Sequence, residues 1–167
     1  MKNIIFLDID GVLNTERWHL NEGQNSPQDQ FGDSFDPEAV ANLVLIIEKT
    51  GADIVISSSW KFSGHESMQA MWRERKLPGK VIGITPSTLS DEMLLKADPD
   101  ELDKMPFKGY DVKEWLSNHS KQIKNYVIID DENSFLPEQR SRLILTDPKC
   151  GISKEDAGRV INLLNVR

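Results

Sequence analysis

Hydrophobic and polar positions along the chain alternate between short apolar runs and longer amphipathic stretches. Ile4-Ile5-Phe6-Leu7 is unbroken apolar sequence and reads as a buried strand that stops at Asp8. Ala52 to Ile56, Lys80 to Ile84, Tyr126 to Ile129 and Leu143 to Leu145 read as four further strands. Between them the spacing becomes helical. Asp36-Pro37-Glu38 has an N-cap Asp, a first-position Pro and an acidic first turn, and Val40, Leu43, Val44 and Ile47 follow before Gly51. Ser63-Gly64-His65-Glu66 matches a capping box and predicts a helix to about Arg75. Pro78-Gly79 then turns the chain into the third strand. A helix over about Tyr110 to His119 places Val112, Trp115 and Leu116 on one face. Ser153 opens the last helix, whose apolar stripe is Ala157, Val160, Ile161 and Leu164. Two stretches lack such patterning. Asn14 to Phe35 reads as a loop or short hairpin. Thr85 to Phe107, with Pro86, Pro99 and Pro106, holds at most one short helix around Glu92 to Lys96.

Strands alternating with helices require crossover connections and hence a parallel sheet covered on both faces. The expected fold is α/β, a Rossmann-like three-layer sandwich around a mostly parallel five-stranded sheet. Residues 1–167 are expected to form one domain, with the two unpatterned stretches 14–35 and 85–107 inserted between its elements. Ligands in such sheets bind at the carboxyl ends of the strands. Three of these strands end in chemically capable residues: Asp8, Ser57 and Asp130. Asp8 and Asp10 are two apart, so an extended chain aims them the same way. Two carboxylates aimed together from a buried strand end call for a cation, because like charges repel and buried charges need partners.

Bulk composition narrows the chemistry. The 167 residues are 38% hydrophobic and 28% charged, with a formal net charge of -7. That balance argues against a broad basic face for non-specific nucleic-acid binding, but leaves room for a metal-bridged phosphate. The one cysteine, Cys150, forms no internal disulfide and fits a reducing, cytoplasmic setting. The N-terminal apolar run is broken by Asp8 and Asp10 and does not read as a signal peptide. No apolar run approaches the roughly 20 residues of a membrane span, so no membrane association is expected. No pattern points to an obligate protein partner.

With these residues in place, the chain resembles the haloacid dehalogenase (HAD) superfamily of phosphotransferases. Asp8-Ile9-Asp10-Gly11-Val12-Leu13 resembles its first motif, and Ile54-Val55-Ile56-Ser57 its second. Lys108 fits the third, and Ile128-Ile129-Asp130-Asp131 resembles the fourth. Ser57-Ser58-Ser59-Trp60, Lys108-Gly109 with Trp115-Leu116, and Cys150-Gly151-Ile152 resemble a branch that includes HAD domains of RNA-repair proteins. The chain departs from that branch at Lys61 and Lys108, where Arg is expected. Both keep the charge but lose the bidentate fork.

The resemblance implies a Mg²⁺-dependent phosphomonoesterase with an aspartyl-phosphate intermediate. Asp8 is the expected nucleophile and Asp10 the general acid and base. Gly11 gives backbone freedom beside the phosphate. Ser57, through hydroxyl and backbone N–H, is expected on a phosphoryl oxygen, with Ser58 as rival. Lys108 is expected to neutralise the transferring group, with Lys61 as rival. Asp8, the Asp10 carbonyl and Asp130 form the expected metal site, and Asp131 either supports it or caps a helix. Trp18 stacks on a substrate base or pins its own loop. Trp60 has the same two readings, with the structural one favoured. His19, His65 and His119 have no metal-ligand spacing. By the same resemblance, 14–35 is a flap or loop, 85–107 a small insertion and no large cap domain is expected; an uncapped HAD site suits a bulky phosphorylated substrate such as a nucleotide or nucleic-acid end. The alternatives are a small-metabolite phosphatase, a phosphotransferase to another acceptor, and a non-catalytic HAD-fold binding module.

Overall fold

The computed structural model describes residues 1–22, 28–89, 95–96, 98 and 104–166. Its centre is a five-stranded sheet of β1 (Lys2–Leu7), β4 (Asp53–Ile56), β5 (Val81–Ile84), β6 (Ile123–Asp130) and β7 (Leu143–Leu145), in the order β5-β4-β1-β6-β7. Every pairing in it is parallel. Strands β2 (Gln28–Asp29) and β3 (Gly32–Asp33) form a separate antiparallel hairpin. The helices are α1 (Glu16–Glu22), α2 (Pro37–Thr50), α3 (His65–Glu74), α4 (Phe107–His119) and α5 (Lys154–Leu164). The expected α/β class and parallel five-stranded sheet are those observed. Among the described residues no helix is long and apolar enough to cross a membrane.

The unbroken apolar strands are explained by burial on both sheet faces. Ile5 and Leu7, with Ile54, Ile56, Val127 and Ile129, pack into the larger core alongside Leu43 and Ile46 of α2, Met68 and Trp72 of α3, and Val160 and Leu164 of α5. Ile4 and Phe6, with Val55 and Ile128, face the other way onto Val112 and Trp115 of α4. Phe6 meets Trp115 edge-on at 5.4 Å between ring centroids. Gly83 on β5 lets that indole close in, since a Cβ there would lie 3.2 Å from Trp115 Nε1.

Helix ends follow local chemistry. Asp36 caps α2 by accepting from the Glu38 N–H, and left-handed Gly51 closes the helix. Ser153 and Asp156 form a full capping box on α5. The box expected at Ser63 does not form. Ser63 ends a 3₁₀ turn, Ser59–Ser63, and α3 starts from Gly64 without a side-chain cap. Gly64 has φ 93°, which redirects the chain between turn and helix.

The polar stretch 14–35 carries the hairpin and one helix that its sequence did not announce. Glu-Arg-Trp-His-Leu-Asn-Glu has no apolar stripe, and α1 is held by tertiary contacts instead. The Thr15 hydroxyl donates to Asp36 at 2.7 Å, and Arg17 donates to the same carboxylate at 3.0 Å. Residues 23–27 lie outside the described residues. So do 92–94 of the helix expected at Glu92 to Lys96, where only Leu95 and Lys96 are described, as helical.

Candidate active site

Strand register assembles the site. Leu7 lies level with Ile56 on one side and Ile129 on the other. The next residues, Asp8, Ser57 and Asp130, therefore emerge side by side at the carboxyl edge. The Ser57 N–H donates to the Leu7 carbonyl at 2.9 Å, and the Asp8 N–H to the Ile129 carbonyl at 3.0 Å. Alternation then sets the face. Asp8, Ser57 and Asp130 share the parity of Phe6, Val55 and Ile128, which face α4. The first turn of that helix supplies Lys108.

Lys108 Nζ donates to Asp8 Oδ2 at 3.0 Å and to both oxygens of Asp130 at 3.0 Å. Glu132 lies 3.5 Å away at the exposed rim. Asp8 and Asp130 are buried, and Asp131 is half-buried. One carboxylate oxygen from each of the three lies within 4.8 Å of the others. Lys108 thus pairs with two of the three clustered carboxylates, and the three together are a set of hard oxygen donors of the kind that holds a divalent cation. Burial and the crowding of like charge shift the ionisation of these groups. Burial, and then the Asp8 charge, push the Asp130 carboxyl up to about 8 despite Lys108. Burial and Asp8 also raise Asp131. Burial works against the Lys108 ammonium, but Asp130 and Asp8 outweigh it and raise its pKa.

Ser57 carries the clearest mark of a missing partner. Its hydroxyl is buried and has no hydrogen-bond partner among the described residues. A buried hydroxyl left unpaired costs about 1–3 kcal/mol, so such groups point to a ligand or water. Its backbone N–H, expected on the phosphate, is instead spent on Leu7. Ser58 turns away and caps the 3₁₀ turn, accepting from the Trp60 N–H at 3.3 Å.

Gly11 is required by close packing. Its φ is 69°, and a Cβ would lie 2.3 Å from Asp131 Oδ2. Its carbonyl accepts from the Thr146 hydroxyl at 2.9 Å, which fixes the turn after Asp10. Asp131 caps no helix; the nearest turn, Pro137–Arg142, has Leu136 at its cap position. Gly109, beside Lys108, lets α4 press against the segment after β6, where a Cβ would lie 2.7 Å from the Leu136 nitrogen.

The remaining candidates are engaged by other partners. Lys61 is buried against Asp111 at 2.7 Å, Thr85 at 3.2 Å and the Pro86 carbonyl at 3.0 Å, and is not among the partners of Asp8. The Trp18 indole N–H donates to the Ser34 hydroxyl at 3.1 Å, tying α1 to the chain after the hairpin. Asp10 is exposed and its side chain is not part of the acidic cluster, where its main-chain carbonyl was the expected ligand; its carboxylate accepts from Trp60 Nε1 at 3.0 Å and Asn14 Nδ2 at 2.9 Å. Sequence reading missed both donors. Asn14 is four residues from Asp10, a spacing that a turn can close, but Trp60 is fifty residues away and nothing local signals it.

A cavity of about 420 Å³ opens at Ser57 and Lys108, walled by Ser59, Phe62, Thr88 and Phe107, with the Lys61–Asp111 pair also in its lining. Its size falls in the range of small-molecule sites. Comparison with known proteins agrees with this geometry. No curated protein matched the chain. A profile described as the HAD domain in Swiss Army Knife RNA repair proteins matches residues 4–157, from β1 into α5. That family suggests a phosphatase-type hydrolase. The match spans the sheet and all of the candidate site, and the chain belongs to this family of HAD domains.

Proposed function

We propose that this chain is a Mg²⁺-dependent phosphomonoesterase that works through an aspartyl-phosphate on Asp8 and removes terminal phosphates from nucleotides or polynucleotides. The observation that carries the reading is the cluster of Asp8, Asp130 and Asp131 with only Lys108 paired to it, next to a Ser57 hydroxyl that has no partner among the described residues. Asp8, Asp130 and Asp131 would hold Mg²⁺, which when bound offsets carboxylate charge and lets a phosphoryl group approach. Lys108 adds a fixed positive charge on the same group, and the Ser57 hydroxyl donates to a phosphoryl oxygen. Asp8 attacks phosphorus. Asp10, beyond the metal cluster, hands a proton to the leaving oxygen and then takes one from water.

The leaving group would occupy the cavity beside Lys108. Its Phe62 and Phe107 walls offer aromatic faces to a terminal base, which stack with any base. The family description adds RNA repair as the setting for such ends. The net charge of -7 fits recognition of one end rather than of a long polyanion.

The test is phosphate release with Mg²⁺ from 3′- and 5′-phosphorylated oligonucleotides, mononucleotides, phosphosugars and a phosphopeptide. The expected result is a kcat/KM for an oligonucleotide end well above that for any phosphosugar, lost in Asp8→Asn. Preference for phosphosugars would replace the end-processing reading with a metabolic one. Equal release by Asp8→Asn would remove the proposed mechanism.

A further inference from the structure

We infer that Trp60 and Asn14 are positioning residues that aim the Asp10 carboxylate at the phosphoryl site. The inference rests on the acid–base role proposed for Asp10. Asp10 is exposed and lies past the end of β1, so neither the sheet nor the core fixes its side chain. Two neutral donors from different parts of the fold do so. Trp60 Nε1 donates to Oδ2 at 3.0 Å, and Asn14 Nδ2 donates to Oδ1 at 2.9 Å. With both oxygens held, the plane of the carboxylate is set.

Each donor is itself anchored. The Trp60 ring packs on Phe35 at 5.8 Å between centroids, and its backbone N–H donates to the Ser58 hydroxyl. The next residue, Lys61, locks the same 3₁₀ turn into α4 through Asp111. Asn14 accepts the Gly11 N–H at its carbonyl, and its side-chain oxygen meets the His19 ring on α1. None of these anchors is among the hydrogen-bond partners of Asp8. If Trp60 served packing alone, its contact with Phe35 would suffice and the indole N–H would be dispensable.

The two steps give this aim a kinetic signature. In the first, an Asp8 oxygen bonds to phosphorus, the bond from phosphorus to the leaving oxygen breaks, and Asp10 delivers its proton to that oxygen. In the second, Asp10 takes a proton from water, the water oxygen bonds to phosphorus, and the Asp8–phosphorus bond breaks to return the carboxylate. An alkyl ester needs Asp10 in both steps. p-Nitrophenyl phosphate needs it only in the second, because its leaving group departs as a stable anion.

The experiment uses Trp60→Phe, which keeps a ring against Phe35, and Asn14→Ala, each with Mg²⁺ and p-nitrophenyl phosphate. Steady-state kcat should fall about 10- to 100-fold, the range for losing a hydrogen bond to a charged group. KM should fall with it, leaving kcat/KM within about two-fold, and a nitrophenol burst should appear as phosphoenzyme accumulates. Turnover of an alkyl phosphate should lose kcat/KM as well. Wild-type kinetics in both variants, or a parallel loss of kcat/KM for the aryl ester without a burst, would overturn the positioning role. Asp8→Asn in the same assay separates the two levels: wild-type turnover there would overturn the Asp8 mechanism itself, and the positioning role with it.

Discussion

Lys61 and Lys108 both sit against buried carboxylates, and their surroundings differ in kind. Lys61 faces one carboxylate, Asp111, and fills its other donor positions with the Thr85 hydroxyl and the Pro86 carbonyl. Asp111 in turn accepts the Thr88 N–H and hydroxyl, each at 2.9 Å. Charge is balanced one to one, donors meet acceptors, and both side chains are nearly closed to solvent, at 8% and 12% exposure. Lys108 faces Asp8 and Asp130 with Asp131 nearby, is 21% exposed, and adjoins a buried hydroxyl with no partner. One lysine completes a local structure. The other leaves negative charge and a donor unspent, although both lysines line the same cavity. The identity and burial of a lysine do not separate these cases; the ledger of its neighbours does.

The contrast can be broken most forcefully at Lys61. Removing one member of a buried pair strands the other, at a cost of about 3–5 kcal/mol. Lys61→Met should therefore lower the denaturant midpoint steeply, and Lys61→Met with Asp111→Leu should recover much of the loss. A Lys61→Met protein as stable as wild type would show that the pair is not structural. Lys108→Met should do the reverse. Turnover should drop about 10²- to 10³-fold, the scale for removing one preorganised charge-stabilising donor, with a smaller change in unfolding midpoint. If the midpoint collapsed while the remaining folded enzyme kept its rate, the two lysines would have to exchange roles.

Mg²⁺ sharpens the comparison further. At 100-fold excess over its Kd, a ligand bound only by the native state adds about 2.7 kcal/mol. The melting temperature should rise with Mg²⁺ in wild type and much less in Asp130→Asn. An equal rise in both would dissociate Asp130 from metal binding.

A further effect concerns pH in the metal-free protein. Asp130 is raised to about 8 by burial and by Asp8, from an ordinary value of 3.8. Between those values the native state holds a proton that the unfolded chain releases, so raising the pH through this window subtracts stability. The loss levels off above about 8. Asp130→Asn should lack this component in chelator-treated urea titrations. Wild type and variant changing in parallel from pH 5 to 8 would contradict it.

How much of this was legible in sequence follows from how local each signal is. Continuous apolar runs reported strands buried on both faces, and the abrupt ends at Asp8, Ser57 and Asp130 fell level because parallel register carried them there. The caps at Asp36 and Ser153 are chemistry between near neighbours and formed as written. The Ser63 box had the right letters but lost to the 3₁₀ turn that holds Trp60 and Lys61. Helix α1 had no apolar stripe to announce it and depends on Asp36. The division of labour between Lys61 and Lys108 was left open because Asp111 lies fifty residues from Lys61 and only the fold brings them together. The Trp60–Asp10 contact was hidden for the same reason.

The most direct test of the central claim is phosphate release from a phosphorylated oligonucleotide end, with and without Mg²⁺, by wild type and Asp8→Asn. The account predicts release by wild type with Mg²⁺ alone, and none above background without the metal or without the Asp8 carboxylate. Release by Asp8→Asn at the wild-type rate, or wild-type release indifferent to chelation, would contradict it.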